Sequence, residues 1–392
     1  MRIPSRILPV IVIAQFCCTS LWFAGNAVMP DLLREFGLAS DALGHLTSAV
    51  QFGFILGTLS FAFLTISDRF SPSKVFLFCA LLGSLFNLGV LLEESDIYSL
   101  ILFRFLTGFS LAGIYPVGMK IASDYFDKGL GRSLGYLVGA LVLGTAFPHL
   151  LKEISGNIDL EWRWVIYLTS ILAIIGGLLI FLLVPNGPYR SKKQKPELGL
   201  FLKVFRKKEF RSAAFGYFGH MWELYAFWAF VPVILGTFKQ LHPEANFSIS
   251  ITSFFIIGLG SLACIAGGYI SENYGVKRTA ALALFLSGSC CILSPLIFYL
   301  NSEILLILFL ILWGLVVVAD SPLFSTLVAK NTSPESRGTA LTIVNCIGFS
   351  ITILSIQLLN YLNESHSTLW IFSLLSIGPI LGLAGLFFKI SK

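Results

Sequence analysis

Residues 104–132, RFLTGFSLAGIYPVGMKIASDYFDKGLGR, decide the fold of this chain. The stretch begins with a cation, Arg104, inside an apolar run, and Lys120 follows before the run ends in a charged loop. A weaker copy, WGLVVVADSPLFSTLVAKNTSPESRG, occupies residues 313–338, so that Pro116 and Pro322 are 206 positions apart. The second copy also carries a charge within its apolar run, Asp320. This duplication indicates a chain built from two related halves.

The composition places the chain in a membrane. Of its 392 residues, 56% are hydrophobic and only 12% are charged, which is more apolar surface than a soluble core can bury. A membrane-spanning helix needs roughly 20 mostly apolar residues. The first run is too long for a signal peptide and belongs to the repeat, so we expect it to be retained. The prediction is an all-α integral membrane protein with twelve transmembrane helices, α1–α12, near residues 8–30, 43–67, 74–92, 98–123, 132–151, 163–185, 212–236, 248–271, 278–300, 304–328, 337–361 and 366–389.

Basic residues predict the orientation of the chain. The net charge is +6, and most Lys and Arg residues fall in loops that share one side of the predicted membrane. The positive-inside rule makes that side cytoplasmic, with both termini there, in a cell (inner) membrane. No nucleic-acid partner is expected. The basic segment 186–211 reads as a cytoplasmic linker between an N-terminal bundle, 1–185, and a C-terminal bundle, 212–392. The basic residues expected outside are Arg34, Lys152, Arg163 and Lys239.

Cysteines and histidines give no sign of a metal, a cofactor or an enzyme. All seven cysteines fall inside predicted helices without zinc-type spacing, which is typical of packing residues. None of the five histidines begins a His-x-x-x-x-Asp pair, and no nucleophile–base pairing stands out. We therefore expect neither metal nor cofactor, and no enzymatic activity.

Two short loops resemble a known signature. Residues 67–74, SDRFSPSK, follow α2, and residues 268–278, GYISENYGVKR, follow α8. Both resemble the Gly-x-x-x-Asp-Arg-x-Gly-Arg-Arg/Lys loops of the major facilitator superfamily, although Ser71 replaces a glycine and Asn273 an arginine. The resemblance implies two pseudo-symmetric six-helix bundles, with α1, α4, α7 and α10 lining a central cavity. It also implies a charged latch at the cytoplasmic mouth, formed by Asp68, Arg69, Lys74, Glu272, Lys277 and Arg278.

Helix α1 carries a polar stripe. Gln15, Thr19, Trp22 and Asn26 recur at helical spacing and share one face. Facing lipid, these groups would lack hydrogen-bond partners, so the stripe is expected to face the protein interior. Two interpretations stay open, a water-filled cavity and hydrogen bonding between helices.

Helix α4 carries the two deep cations. Arg104 and Tyr115 share one face with Gly108, whereas Lys120 lies on a face about 160° away at a helical rotation of 100° per residue. A charge at this depth is costly, so neither cation is expected to face lipid. Arg104 either binds substrate or locks α4 to its neighbours. Lys120 either binds substrate or pairs with Asp124 one turn away.

Helices α7 and α10 carry the acids. His220 and Glu223 lie three residues apart, and Asp320 lies near the middle of α10. Acids and histidines inside a membrane can take up and release protons, so we predict that these three residues couple transport to protons. The alternative for the α7 pair is a position near the inner interface. Phe227, Trp313 and Phe324 continue the same faces and complete the predicted substrate contacts.

Together these features predict a secondary active transporter that works by alternating access. Cations in the first half and acids in the second suit a small polar or amphipathic solute with an anionic group, moved together with protons. The expected partners are that solute, protons and the lipid bilayer, with the protein a monomer. A drug or secreted-metabolite efflux pump is the alternative. A non-transporting receptor on the same scaffold is a further one. Ala140 replaces the proline that typical proton antiporters carry after Gly135-x-x-x-Gly139, and the signature of nitrate porters is also missing.

Overall fold

The computed structural model describes residues 5–126, 130–189, 204–333, 337–365 and 370–387, and these residues form helices and no strand. Short helices also occur in the α2–α3 loop, Ile66–Arg69, and at the ends of α3, Gly89–Leu91, and of α1. The twelve main helices are α1 (Ile7–Thr19, continued by Ala24–Ala27 and Met29–Glu35), α2 (Ala42–Phe63), α3 (Pro72–Leu88), α4 (Ile97–Leu111 and Tyr115–Tyr125), α5 (Leu130–Asn157), α6 (Arg163–Leu183), α7 (Lys208–Leu241), α8 (Ile249–Gly258 and Gly260–Tyr274), α9 (Val276–Ile297), α10 (Glu303–Ala319 and Ser321–Lys330), α11 (Arg337–Ser365) and α12 (Ile377–Phe387, preceded by the 3-10 helix Ile371–Ser376).

The helices confirm an all-α membrane protein of two six-helix bundles. Ten of the described helices are long and apolar enough to cross a bilayer, and Ile7–Thr19 and Ile371–Phe387 are shorter apolar segments. The predicted first run, 8–30, is therefore not one continuous helix. It stops at Thr19 and resumes at Ala24.

Glycines set the same close contact in both bundles. A Cβ atom on Gly108 of α4 would lie 2.0 Å from the carbonyl oxygen of Val50 on α2. A Cβ atom on Gly314 of α10 would lie 2.1 Å from the carbonyl oxygen of Ile256 on α8. Gly108 and Gly314 are 206 positions apart, and so are their contact residues Val50 and Ile256. The repeat in the sequence is therefore also a repeat in helix packing. Small residues allow this approach of two backbones.

The repeated prolines begin helical segments and do not interrupt a continuous helix. Helix α4 stops at Leu111 and restarts at Tyr115, which places Pro116 in the first turn of the second segment. Pro322 has the same place in α10, directly after the break at Asp320. A proline is tolerated there because the first N–H groups of a helix have no intrahelical acceptor.

The two bundles meet where α2 packs against α11. The Gln357 side-chain nitrogen donates to the carbonyl of Gly44 at 3.1 Å and to the hydroxyl of Ser48 at 2.8 Å. Asn360 donates to the carbonyl of Asp41 at 3.0 Å. These contacts join the start of α2 to the end of α11, and under the predicted orientation they lie on the extracellular side.

Helices α5 and α8 form another contact between the bundles. Ser248, at the start of α8, donates a hydrogen bond to Glu153, near the end of α5. Towards the other ends of the same helices, the hydroxyls of Tyr136 and Tyr269 are 3.2 Å apart. Residues 190–203 of the predicted linker lie outside the described residues, so the domain boundaries stay a prediction.

Candidate transport site

Arg104 fills the break in α1. Its Nη1 atom donates to the carbonyl of Leu21 at 3.2 Å and to Oδ1 of Asn87 on α3 at 3.3 Å, and its Nη2 atom donates to the carbonyl of Trp22 at 2.5 Å. The helix break frees these two carbonyls, and the guanidinium supplies the donors that they need inside a membrane. The side chain is 1% exposed. Arg104 thus ties α4 to α1 and α3.

The charge of Arg104 has no opposite charge beside it. All three of its hydrogen-bond acceptors are neutral, and no carboxylate among the described residues lies within ion-pair distance of its guanidinium. Carbonyl dipoles stabilise a cation but leave its net charge unchanged. The first bundle therefore contains a buried positive charge.

Asp320 and His220 form a buried acid–histidine pair between α10 and α7. Oδ1 of Asp320 lies 2.8 Å from Nδ1 of His220, and the two side chains are 0% and 1% exposed. The angles do not suit a hydrogen bond, and neither side chain hydrogen-bonds to any described residue. The two groups form a full charge pair only when His220 carries a proton.

Glu223 occupies a different environment. Its Oε1 atom accepts a hydrogen bond from the indole N–H of Trp313 at 2.6 Å, and its Oε2 atom accepts one from the Ser287 hydroxyl at 2.8 Å. The sequence places His220 and Glu223 on one face of α7, but the structure gives each a different counterpart. Glu223 joins α7 to α9 and α10, whereas His220 joins α7 to Asp320.

The polar stripe of α1 is buried throughout. The hydroxyl of Thr19 donates to the carbonyl of Gln15 at 2.8 Å, and Asn26 donates to the hydroxyl of Thr47 on α2 at 2.8 Å. The amide of Gln15 makes no hydrogen bond to a described residue. The stripe therefore faces inward, as predicted, and only part of it bonds to another helix.

The other predicted substrate contacts lie at different depths. The Lys120 Nζ atom is 3.8 Å from Oδ1 of Asp124, which is the local pairing that the sequence left open. Tyr115 is partly buried at the start of the second segment of α4. The Phe227 ring packs against Trp313, with centroids 4.5 Å apart, and the Phe324 ring lies 6.1 Å from the ring of His220.

The predicted latch residues lie at helix ends and in loops. The side chain of Asp68 lies outside the described part of the structure. Gly275, between α8 and α9, has a φ of +87°, which only glycine adopts without strain. The latch function itself stays a prediction. Its remaining members are exposed, namely Arg69, Lys74, Glu272, Lys277 and Arg278.

An aromatic cluster lies between the two bundles. Of its members, the sequence analysis had identified only Trp22 as a site residue. The Trp22 ring lies 5.6 Å from Tyr225 and 5.7 Å from Phe349, and Tyr225 lies 5.2 Å from Trp228. One signal was available, because Trp22 and Trp228 are 206 positions apart and so occupy equivalent sites of the repeat. We call this set the aromatic cluster, and its members are Trp22, Phe23, Phe54, Tyr225, Trp228 and Phe349.

Two helical bundles with buried charges on α4, α7 and α10 define a membrane transporter. The family model of the Major Facilitator Superfamily matches residues 11–356, so the chain belongs to this superfamily. The interpretation as a transporter rather than an enzyme is confirmed, because the superfamily consists of transporters.

The relatives are transporters of several kinds. The chain is 25% identical to the Benzoate transport protein of Acinetobacter baylyi, over 92% of this chain and 84% of that protein. It is 25% identical to the Probable nitrate/nitrite antiporter NarK1 of Thermus thermophilus, over 72% of this chain and 66% of that protein. Among solved structures, the human organic anion transporter MFSD10 (TETRAN) superposes with a TM-score of 0.73 at 17% identity, covering 98% of this chain and 100% of that chain. The last match concerns the fold alone.

Proposed function

We propose that this protein is a proton-coupled transporter of a small, anion-bearing solute that works by alternating access. The observation that carries the proposal is the Asp320–His220 pair, two fully buried titratable groups on two helices predicted to line the cavity. An ionisable group inside a membrane is expensive, and its usual role is in a substrate or proton pathway.

The pair can hold one exchangeable proton. With His220 neutral and Asp320 ionised, the site carries one negative charge, and binding of one proton makes it neutral. A movement of α7 relative to α10 would separate the two side chains and change the affinity of the site for that proton. Glu223 is the less favoured proton site, since both of its oxygens already accept hydrogen bonds.

Arg104 supports an anionic solute. Its charge is buried in the first bundle without an adjacent carboxylate, so an anion entering between the bundles is attracted and a cation repelled. Lys120, beside Asp124, is the weaker of the two proposed contacts. A relative that matches 92% of this chain is named for benzoate, a carboxylate, which agrees with an anionic substrate.

We further propose an orientation and a membrane for the protein. The distribution of Lys and Arg supports cytoplasmic termini and an inner membrane.

The test compares two transport modes in the same vesicles. Asp320→Asn keeps the shape of the side chain but cannot release a proton. We expect it to exchange labelled anion for unlabelled anion and to lose accumulation driven by a pH gradient. Glu244→Gln, which alters an acid that is 72% exposed, is the matched control and is expected to retain both modes. Accumulation by Asp320→Asn at the wild-type level would refute the assignment.

A further inference from the structure

The aromatic cluster contains two buried hydrogen-bond donors without acceptors. The indole N–H groups of Trp22 and Trp228 make no hydrogen bond to any described residue, and the two side chains are 1% and 0% exposed. Buried N–H groups in native proteins almost always have an acceptor, and each unpaired one is costly. Two such donors at equivalent sites of the repeat therefore point to an acceptor that comes from a ligand.

The rings of the cluster have the geometry of a stacking site. The Trp22 ring is inclined by only 29° to Tyr225 and by 24° to Phe349. Trp22 belongs to the first bundle, and Tyr225 and Phe349 belong to the second. A motion that separates the bundles therefore also separates these rings, and a flat molecule can take the place of the Trp22 ring against Tyr225 and Phe349. Offset stacking of flat rings is favourable beyond the area that it buries.

The buried cation, Arg104, is hydrogen-bonded to Trp22 of the same cluster. The carbonyl of Trp22 accepts the hydrogen bond from Nη2 of Arg104. The backbone of Trp22 thus contacts a guanidinium, while the edge of its side chain offers an unpaired N–H group. Negative charge, acceptor oxygens and a flat apolar body are the complementary properties of a ligand.

We propose that the aromatic cluster is the substrate site and that the substrate is a carboxylate carried on a flat aromatic ring. The ring would stack on Tyr225 and Phe349, in the place that the Trp22 ring leaves when the bundles part, and the carboxylate oxygens would accept hydrogen bonds from the indole N–H groups at the edges of the Trp22 and Trp228 rings. Arg104 would attract the carboxylate charge. This inference rests on the proposed anion transport and narrows it to one class of anion.

Other classes of solute leave part of this site unused. A small inorganic anion satisfies the N–H groups and the cation but cannot fill the space between parted rings. A neutral aromatic molecule fills that space but brings no negative charge to pair with Arg104. A sugar brings hydroxyl donors, and the cluster has few acceptors to receive them.

Binding to the purified full-length protein in lipid nanodiscs tests the proposal, with benzoate as the probe. Benzamide keeps the ring without the charge, and acetate keeps the carboxylate without the ring. We expect benzoate to bind at least about 10-fold more tightly than either, because each comparator lacks one of the two interactions. Acetate binding as tightly as benzoate would overturn the aromatic class, and equal binding of benzamide would overturn the carboxylate.

Two substitutions test the donors themselves. Trp22→Phe and Trp228→Phe keep an aromatic ring and remove the N–H group. Each is expected to weaken benzoate binding by roughly 10-fold or more, the usual loss for a hydrogen bond to a charged group. Trp370→Phe, at a tryptophan that is 57% exposed, is the matched control and should bind like the wild type. Unchanged affinity in both cluster variants would show that the donors do not bind substrate.

The comparison of benzoate, benzamide and acetate binding uses only wild-type protein, so misfolding of a variant cannot affect its outcome. The binding experiment can also refute the aromatic-carboxylate site without refuting proton-coupled anion transport. A protein that binds acetate and benzoate equally, yet accumulates anions under a pH gradient, is a proton-coupled anion transporter with a different substrate site.

Discussion

The two roles of Arg104, packing and anion binding, can be separated by changing it and its neighbour independently. Asn87→Ala removes one acceptor of the guanidinium and leaves the cation in place. Asn87 also donates to α6, at 3.3 Å to the carbonyl of Ile166, 3.2 Å to the hydroxyl of Thr169 and 3.0 Å to that of Ser170. At about 1 kcal/mol for each hydrogen bond lost, the variant should be destabilised by roughly 2–4 kcal/mol.

Arg104→Gln removes the charge and retains a polar side chain. A carboxylate about 4 Å from a guanidinium gains about 4 kcal/mol at an effective dielectric constant of 20, which corresponds to roughly a 1,000-fold change in affinity. We therefore expect anion binding to fall by at least about 100-fold, after an allowance for water in the open cavity. Asn87→Ala should bind the anion within about 5-fold of the wild type, since its cation remains.

Thermal unfolding in detergent measures the packing role, and equilibrium binding of the same anion measures the charge role. The prediction is a crossed result, in which Asn87→Ala loses stability and keeps affinity while Arg104→Gln loses affinity. Should Arg104→Gln bind the anion as tightly as the wild type, Arg104 is a packing residue only, and the anion proposal loses its main support.

Three further changes test other parts of the structure. Gly108→Ala would force a methyl group against the carbonyl of Val50, so the free energy of unfolding should fall by about 1–3 kcal/mol, measured by thermal unfolding. Gly156→Ala is the control: nothing lies within 4 Å of that position, so the stability should stay unchanged or rise. Asp68→Asn should slow transport without reducing the amount of protein in the membrane, because a latch stabilises one conformation; wild-type kinetics would end the latch assignment. Gln357→Ala should weaken the contact between α2 and α11 and increase labelling of buried cysteines by an external thiol reagent; unchanged labelling would show that these hydrogen bonds do not hold the two bundles together.

The sequence predicted the fold because its signals are repeated and local. Apolar runs of about 20 residues locate helices without knowledge of their packing. The 206-position offset between Pro116 and Pro322 extends to Gly108 and Gly314, which set equivalent helix contacts. The breaks in α1 and α4 were missed because no proline marks Ser20–Phe23, and because Pro116 starts a segment rather than interrupting one.

The candidate site was only partly predictable, since its pairs join residues far apart in the chain. Helical spacing correctly indicated that His220, Glu223 and Asp320 were buried. It could not tell that His220 faces Asp320, because that contact depends on how α7 and α10 pack. Tyr225 and Phe349 looked like ordinary apolar residues, and only the assembled bundles bring their rings onto Trp22.

Proton coupling is tested most directly by measuring proton movement on addition of an anion. Wild-type protein is reconstituted in vesicles that contain a pH-sensitive dye, and each carboxylate of a panel is added outside, with protein-free vesicles giving the passive background. We expect at least one carboxylate to change the internal pH beyond that background. Asp320→Asn should abolish this change and still exchange the same labelled anion. Exchange of anions by the wild type without any accompanying change of internal pH would contradict proton coupling.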